Sequence, residues 1–180
     1  TTSIFPFDDE MKRYLLATNR EAIVKEAELV AACLRADDEV IEEPEKYYDR
    51  IIDIDLSTLE PYINGPFSPD AATPISEFAE KVRANGYPEK VEVGLIGSCT
   101  NSSYPDLIQV AEILDGKTCH PDVSLSIAPG SKQVFNMLAE NGALADLIAS
   151  GARILESACV PCIGMGQSPD SGGVSLRTFN

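Results

Sequence analysis

The spacing of apolar residues in the first part of the chain predicts mostly helices. Asp8 and Asp9 precede a short apolar stretch, which predicts a capped helix ending near Thr18, and residues 21–35 repeat apolar side chains at helical spacing. Apolar residues over 51–56 predict a strand. Prolines and a glycine interrupt the pattern between 61 and 74, which predicts a domain boundary there.

In the second part of the chain, short apolar strands alternate with helical patterns. Strands are expected at 91–96, 123–128 and 153–155, and helices at 76–85, from Ser103, after Ser131 and at 143–149. Such alternation predicts βαβ units and a mostly parallel sheet. We therefore expect an α/β fold with a mostly parallel sheet.

The charge of the chain argues against several classes of partner. Its 180 residues include 29 acidic and 14 basic side chains, and the formal net charge is −15. Binding to DNA or RNA phosphates and docking on anionic lipid both depend on clustered Lys and Arg, so neither is expected. No stretch approaches the roughly 20 apolar residues of a membrane helix, so no membrane partner is expected.

The acidic excess is concentrated between Asp37 and Glu60, where ten carboxylates face only two basic residues. Crowded like charges repel and stay hydrated, which favours a solvated connector. A calcium site is the alternative, although the spacing matches no known calcium-binding loop.

The ends and the cysteine content bear on the origin of the chain. It has no initiator Met, and neither end resembles a natural terminus, so we expect a central piece of a longer protein. Five unevenly spaced cysteines fit a reducing compartment better than a disulfide framework. Cytoplasm and mitochondrial matrix are both such compartments.

Three of the cysteines follow predicted strands. Cys99 comes directly after the strand at 91–96, and Cys159 and Cys162 form a CxxC after the strand at 153–155. Functional groups of parallel sheets gather beyond the carboxyl ends of the strands, so these two segments can meet at one edge. The remaining cysteines, Cys33 and Cys119, fit buried inert thiols.

The chemistry of this group has several interpretations. A structural zinc site needs four ligands, and the lone His120 lacks a zinc-like spacing to the cysteines. A redox pair is expected at the start of a helix early in a βαβ unit, whereas this CxxC follows the last predicted strand. Three thiolates on a cubane iron–sulfur cluster leave one iron open as a Lewis acid, while electron-transfer clusters usually take four cysteines. The count of three favours dehydration chemistry.

Five segments of the sequence resemble the aconitase family, in the right order and across the whole chain. The two that carry the cysteines are Gly-Leu-Ile-Gly-Ser-Cys-Thr-Asn-Ser-Ser at 94–103 and Ala-Cys-Val-Pro-Cys-Ile-Gly at 158–164. The others lie at 1–6, 63–70 and 129–131. The resemblance implies an iron–sulfur hydro-lyase that interconverts citrate and isocitrate through cis-aconitate. It also implies that residues 71–180 form a three-layer α/β/α domain, incomplete at its C-terminus, and that residues 1–70 form the tail of a preceding α/β domain and a connector. Isopropylmalate and homoaconitate isomerases, which share the cysteine motifs, are the alternative within the resemblance.

The resemblance also implies roles for individual residues. Cys99, Cys159 and Cys162 would hold a [4Fe–4S] cluster, and Asn180 would lie beside it. Thr100 and Asn101 are candidates for hydrogen bonds around the cluster because they adjoin Cys99. We expect the cluster to be lost in an aerobic preparation.

The chain departs from the family pattern in what it lacks. It stops before the family's first substrate-binding arginine, and His120 matches none of the catalytic histidines. No catalytic set is therefore complete, and the isolated chain is expected to be inactive without the remaining aconitase domains. Citrate and isocitrate are expected as ligands of the whole enzyme only.

Overall fold

The computed structural model describes residues 3–179, and the chain divides into two compact units, Thr1–Glu60 and Pro61–Asn180. None of the helices within residues 3–179 has the length and apolar character needed to cross a bilayer.

The described part of the first unit is helical. It contains α1 (Asp9–Ala17), α2 (Glu21–Leu29) and α3 (Asp38–Glu42), with 3₁₀ turns at Ala31–Cys33 and Pro44–Lys46. The Asp8 side chain accepts a 2.8 Å hydrogen bond from the Met11 amide, which confirms the predicted cap of α1. The predicted second helix ends earlier than expected, at Leu29, and a 3₁₀ turn replaces its last part.

The strand predicted at 51–56 is wrong. This segment has no regular secondary structure, and Ile52, Ile54 and Leu56 are between 63% and 77% exposed. A strand needs a hydrogen-bonding partner, and no strand is found among residues 3–60 to provide one. The apolar alternation alone was therefore a misleading signal.

The second unit is built on a parallel sheet, which confirms the predicted α/β class. Its strands are β1 (Tyr62–Asn64), β2 (Ala72–Pro74), β3 (Val93–Gly97), β4 (Ser124–Ala128), β5 (Arg153–Ile154) and β6 (Ser175–Arg177). Its helices are α4 (Ile75–Asn85), α5 (Tyr104–Leu114), α6 (Lys132–Glu140) and α7 (Ala143–Ala149). β1 and β2 form an antiparallel hairpin, and the other four strands form a parallel sheet in the order β5-β4-β3-β6.

The predicted helix boundaries are set by local capping. Ser103 and Asp106 form a reciprocal capping box at the start of α5. The Ser131 hydroxyl accepts a hydrogen bond from the Val134 amide at the start of α6. Gly86 ends α4 in the left-handed conformation, with φ of 62°.

One face of the sheet forms the core with three helices. Ile96, Ile127 and Ile154 occupy one row across β3, β4 and β5. The fully buried side chains of Leu107 and Leu147, from α5 and α7, belong to the same cluster. This packing holds the carboxyl ends of the strands in a fixed arrangement.

The opposite face of the sheet is partly polar. One row across all four strands contains Arg177, Leu95, Ser126 and Arg153, since registered partners in neighbouring parallel strands share a face. The segment from Pro161 to Gln167 lies against this face: Pro161 is fully buried, and the Gln167 amide donates to Ser124 Oγ at 2.7 Å.

The hydroxyl of Ser126 is buried without a hydrogen-bond partner among the described residues. We expect Ser126→Ala to raise the free energy of unfolding by about 1 kcal/mol, because it removes a desolvated and unpaired group. Urea denaturation measures the change. The matched control is Ser150→Ala: this serine is equally buried but donates to the Leu147 carbonyl at 2.7 Å, so its loss should destabilise by about 1 kcal/mol. Equal destabilisation by both changes would contradict the prediction.

Candidate metal centre

The loop that carries Cys99 begins with a turn that only glycine fits. Gly97 has φ of 107°, and a Cβ on it would lie 3.0 Å from the carbonyl carbon of Ala128 in the neighbouring strand. Ser98 also has a positive φ, of 75°, and its amide donates to the Ala128 carbonyl at 2.9 Å. The chain therefore leaves β3 sharply, and Cys99 follows directly at its carboxyl end.

The same loop is locked to the end of β4. The buried hydroxyl of Ser102 donates to the Ser98 carbonyl, and the Gly130 amide donates to the Ser102 carbonyl at 3.2 Å. A Cβ on Gly130 would lie 2.7 Å from Ser102 Oγ, so the two loops touch without room for a side chain. This interlock gives Cys99 a defined backbone position.

After β5, Cys159 directly precedes a single 3₁₀ turn, Val160–Ile163, and Cys162 lies within that turn. Its proline, Pro161, is fully buried, and the Gly164 amide donates to the Pro161 carbonyl at 3.1 Å. Cys159 is exposed and Cys162 is half-buried. The turn places both thiols on the same short piece of backbone.

The structure brings the three cysteines together. Ser98, next to Cys99, has its Oγ 3.0 Å from Cys162 Sγ. The Cys159 thiol interacts with both Cys162 and Cys99: hydrogen bonding to Cys162 and the charge of that group raise the pKa of Cys159, and burial and Cys99 add to the rise. Mutual repulsion of this kind means that the thiolates are most stable when a cation lies among them.

Thr100 lies beside the first of these thiols. Its Oγ1 is 3.6 Å from Cys99 Sγ, and this hydrogen bond holds the pKa of Cys99 below its ordinary value. Burial opposes the shift, while hydrogen bonds with Ser98, the backbone amide and Cys159 support it. A thiolate is the form that binds a metal, so Thr100 favours the ligating form of Cys99.

The side chain of Asn101 bonds to the chain after β6. The Asn101 side-chain amide donates to the Thr178 carbonyl, which ties the Cys99 loop to the chain after β6. Thr178 returns a second bond, since its Oγ1 accepts from the Gly97 amide at 3.0 Å. Asn180 lies outside the described residues.

β6 was missed at the sequence level, although it completes this edge of the sheet. It pairs with β3 rather than with β5, the strand before it in sequence, so the direction of strand addition reverses between β3 and β6. In open parallel sheets, ligands bind in the crevice beside such a reversal. Cys99 leaves the carboxyl end of β3, which borders this crevice. Ser98 and Arg177 were also missed; the only sequence signal was their position next to strand ends.

The other two cysteines, Cys33 and Cys119, differ in their exposure. Cys33 is exposed in the first unit, so the prediction of a buried thiol is wrong there. Cys119 is half-buried, with its Sγ 3.6 Å from the Val123 carbonyl. No cysteine within residues 3–179 forms a disulfide.

The three thiols form an all-sulfur donor set that suits some metal sites better than others. Among the described residues, no three His, Cys, Asp or Glu side chains converge to hold one metal ion. In a cubane cluster each thiolate binds a different iron, so the three sulfurs need not point at a common centre. An all-thiolate set in small-residue loops fits an iron–sulfur cluster in its chemistry.

Comparison with known proteins gives the family. The sequence model of the Aconitase family (aconitate hydratase) matches residues 1–180. The chain belongs to the aconitase family. Mitochondrial aconitate hydratases of Schizosaccharomyces pombe and Emericella nidulans are 47% and 49% identical to it, each over 94% of the chain and 21% of the relative. The mitochondrial homocitrate dehydratase of Saccharomyces cerevisiae is 41% identical over 99% of the chain and 23% of its own length. This aconitase-family chain thus spans about a fifth of the length of these relatives.

Proposed function

We propose that this chain is the cluster-bearing part of an aconitate hydratase that interconverts citrate and isocitrate through cis-aconitate. The observation that carries the proposal is the meeting of Cys99, Cys159 and Cys162 at the carboxyl edge of a parallel sheet, in a member of the aconitase family. Mitochondrial relatives support a mitochondrial matrix location, and cytoplasm is the other reducing compartment.

In this proposal the three cysteines hold a [4Fe–4S] cluster. When bound, the cluster supplies an iron without a protein ligand, a Lewis acid for the hydroxyl and carboxylate of the substrate. The chain's own residues prepare the site: Ser98 and Thr100 place hydroxyls beside Cys162 and Cys99, where they can donate to thiolate sulfur. Such hydrogen bonds orient ligands and tune the site. Asn180 is proposed to lie next to the cluster, and Asn101 to hold the loop through Thr178.

Homocitrate dehydration, or isomerisation by an isopropylmalate or homoaconitate isomerase, is the alternative within the family. The 41% identity to a homocitrate dehydratase over nearly the whole chain supports homocitrate dehydration, and the two isomerases remain alternatives through the shared cysteine motifs. The substrate must be decided on the whole protein, because the remaining aconitase domains are proposed to supply the base and most of the substrate contacts. Steady-state assays with isocitrate, homocitrate and isopropylmalate distinguish the three activities.

Anaerobic reconstitution with iron and sulfide tests the cluster, with metal analysis and an absorption spectrum as readouts. We expect about four irons per chain and broad visible absorption, because the three thiolates can hold a cubane. The isolated chain should not hydrate cis-aconitate even when loaded. Uptake of one zinc with no iron would support a structural zinc site and overturn the proposal, and hydration by the loaded chain alone would contradict the predicted inactivity.

A further inference from the structure

Arg177, the last residue of β6, contacts the turn between two of the cysteines. Its Nη1 lies 3.4 Å from both the Pro161 and the Cys162 carbonyl oxygens and donates to each. Its Nε donates to Ser175 Oγ at 3.0 Å, which holds the guanidinium in place along the strand. One side chain thus connects the strand next to β3 with the backbone of the Cys159–Cys162 turn.

The segment that carries this turn is attached to the sheet at two points. Arg177 holds its beginning, and Arg153 donates to the Gln167 side chain near its end. Both arginines lie in the same row on the same face, at opposite edges of the sheet. Gly164 and Gly166, with φ of 81° and 80°, separate the two points, so each attachment acts on its own part of the segment.

We propose that Arg177 is a positioning residue that fixes the Cys159–Cys162 turn relative to Cys99. The same strand end already holds the Cys99 loop, since Thr178 contacts both Gly97 and Asn101. β6 and the residue after it therefore bind the two cysteine segments to one another. The role toward a cluster rests on the proposed function, whereas the role in holding the turn does not.

Hydrogen exchange of the cluster-free chain tests the attachment directly. The Gly164 amide donates to the Pro161 carbonyl and reports on the turn. In Arg177→Ala its exchange rate is expected to rise about fivefold, because the turn loses the stabilisation of about one ordinary hydrogen bond. Arg177→Lys keeps the charge but not the planar guanidinium, so the exchange rate of the Gly164 amide in this variant should lie between those of the wild type and Arg177→Ala. The matched control, Arg153→Ala, should leave this amide near its wild-type rate. An unchanged rate in Arg177→Ala, or equal acceleration in Arg153→Ala, would overturn the proposal.

Cluster decay measures the consequence for ligand geometry. After anaerobic loading, the visible absorption of Arg177→Ala should be lost in air about fivefold faster than that of the wild type and of Arg153→Ala. Decay at the wild-type rate, despite faster exchange at Gly164, would overturn the role toward the cluster. If the wild type itself binds no iron, the proposed function fails, and the exchange rates alone decide whether Arg177 holds the turn. Should Arg177→Ala not fold, as judged by circular dichroism, Arg177→Lys carries both measurements.

Discussion

Replacing Gly97 by alanine is expected to lower the free energy of unfolding by about 4 kcal/mol. Two costs add up at this position. The φ of 107° is strained for any residue with a Cβ, and that Cβ would overlap the carbonyl group of Ala128. The backbone of β4 can yield only by breaking its bond to the Ser98 amide. Urea denaturation of the second unit measures the loss.

Gly86→Ala is the matched control for this change. Gly86 also has a positive φ, of 62°, but a Cβ there would meet nothing within 4 Å. Its replacement should therefore cost only the left-handed strain, about 1 kcal/mol. Similar losses for the two variants would show that crowding at the end of β3 contributes little, and would contradict a close contact between Gly97 and Ala128.

Cys162→Ser is expected to reduce iron uptake on reconstitution from about four irons per chain to less than about one. A cubane held by three thiolates becomes bidentate without Cys162, and a serine hydroxyl is a poor ligand because it stays protonated at neutral pH. The change is nearly isosteric, so the contact with Ser98 and the turn itself should survive. Iron analysis and the visible spectrum give the result.

Cys119→Ser controls for the loss of a thiol as such. Cys119 is half-buried, like Cys162, but its contact is with the Val123 carbonyl. We expect full iron uptake in this variant. Equal loss of iron from both variants would mean that the iron is bound nonspecifically by thiols, and retention by Cys162→Ser would remove this cysteine from the ligand set.

The elements that could be predicted from the sequence are those whose signal is local. Ser103 with Asp106, and Gly86, mark helix ends through contacts within a few residues, and the helices there begin and end as expected. β6 has only three residues and follows a glycine-rich segment, so it carries no periodicity of its own. It forms because the edge of β3 offers unpaired backbone groups, which is a property of the fold. The segment 51–56 is the converse case: it has the apolar pattern but no partner.

The same distinction applies to the candidate metal centre. The approach of Cys99 to Cys159 follows from their positions after parallel strands, and this could be argued from the order of elements alone. The contacts of Arg177 could not, because they depend on the register that pairs it with Leu95. Ser98 was adjacent to a predicted ligand, yet its contact is with Cys162, on the other segment.

The position of β6 beside β3 also has a consequence for the order of folding. The bond between the Gly97 amide and Thr178 joins residues 81 positions apart, and Thr178 directly follows β6, the last strand within residues 3–179. Contacts of such long sequence separation form slowly, since a large loop must close before they contribute. During synthesis, β3 and β4 can pair while the chain beyond residue 170 is still in the ribosome. The bonds from Arg177 and Thr178 to the two cysteine segments therefore form only after β6 has been made, so those segments gain this restraint last.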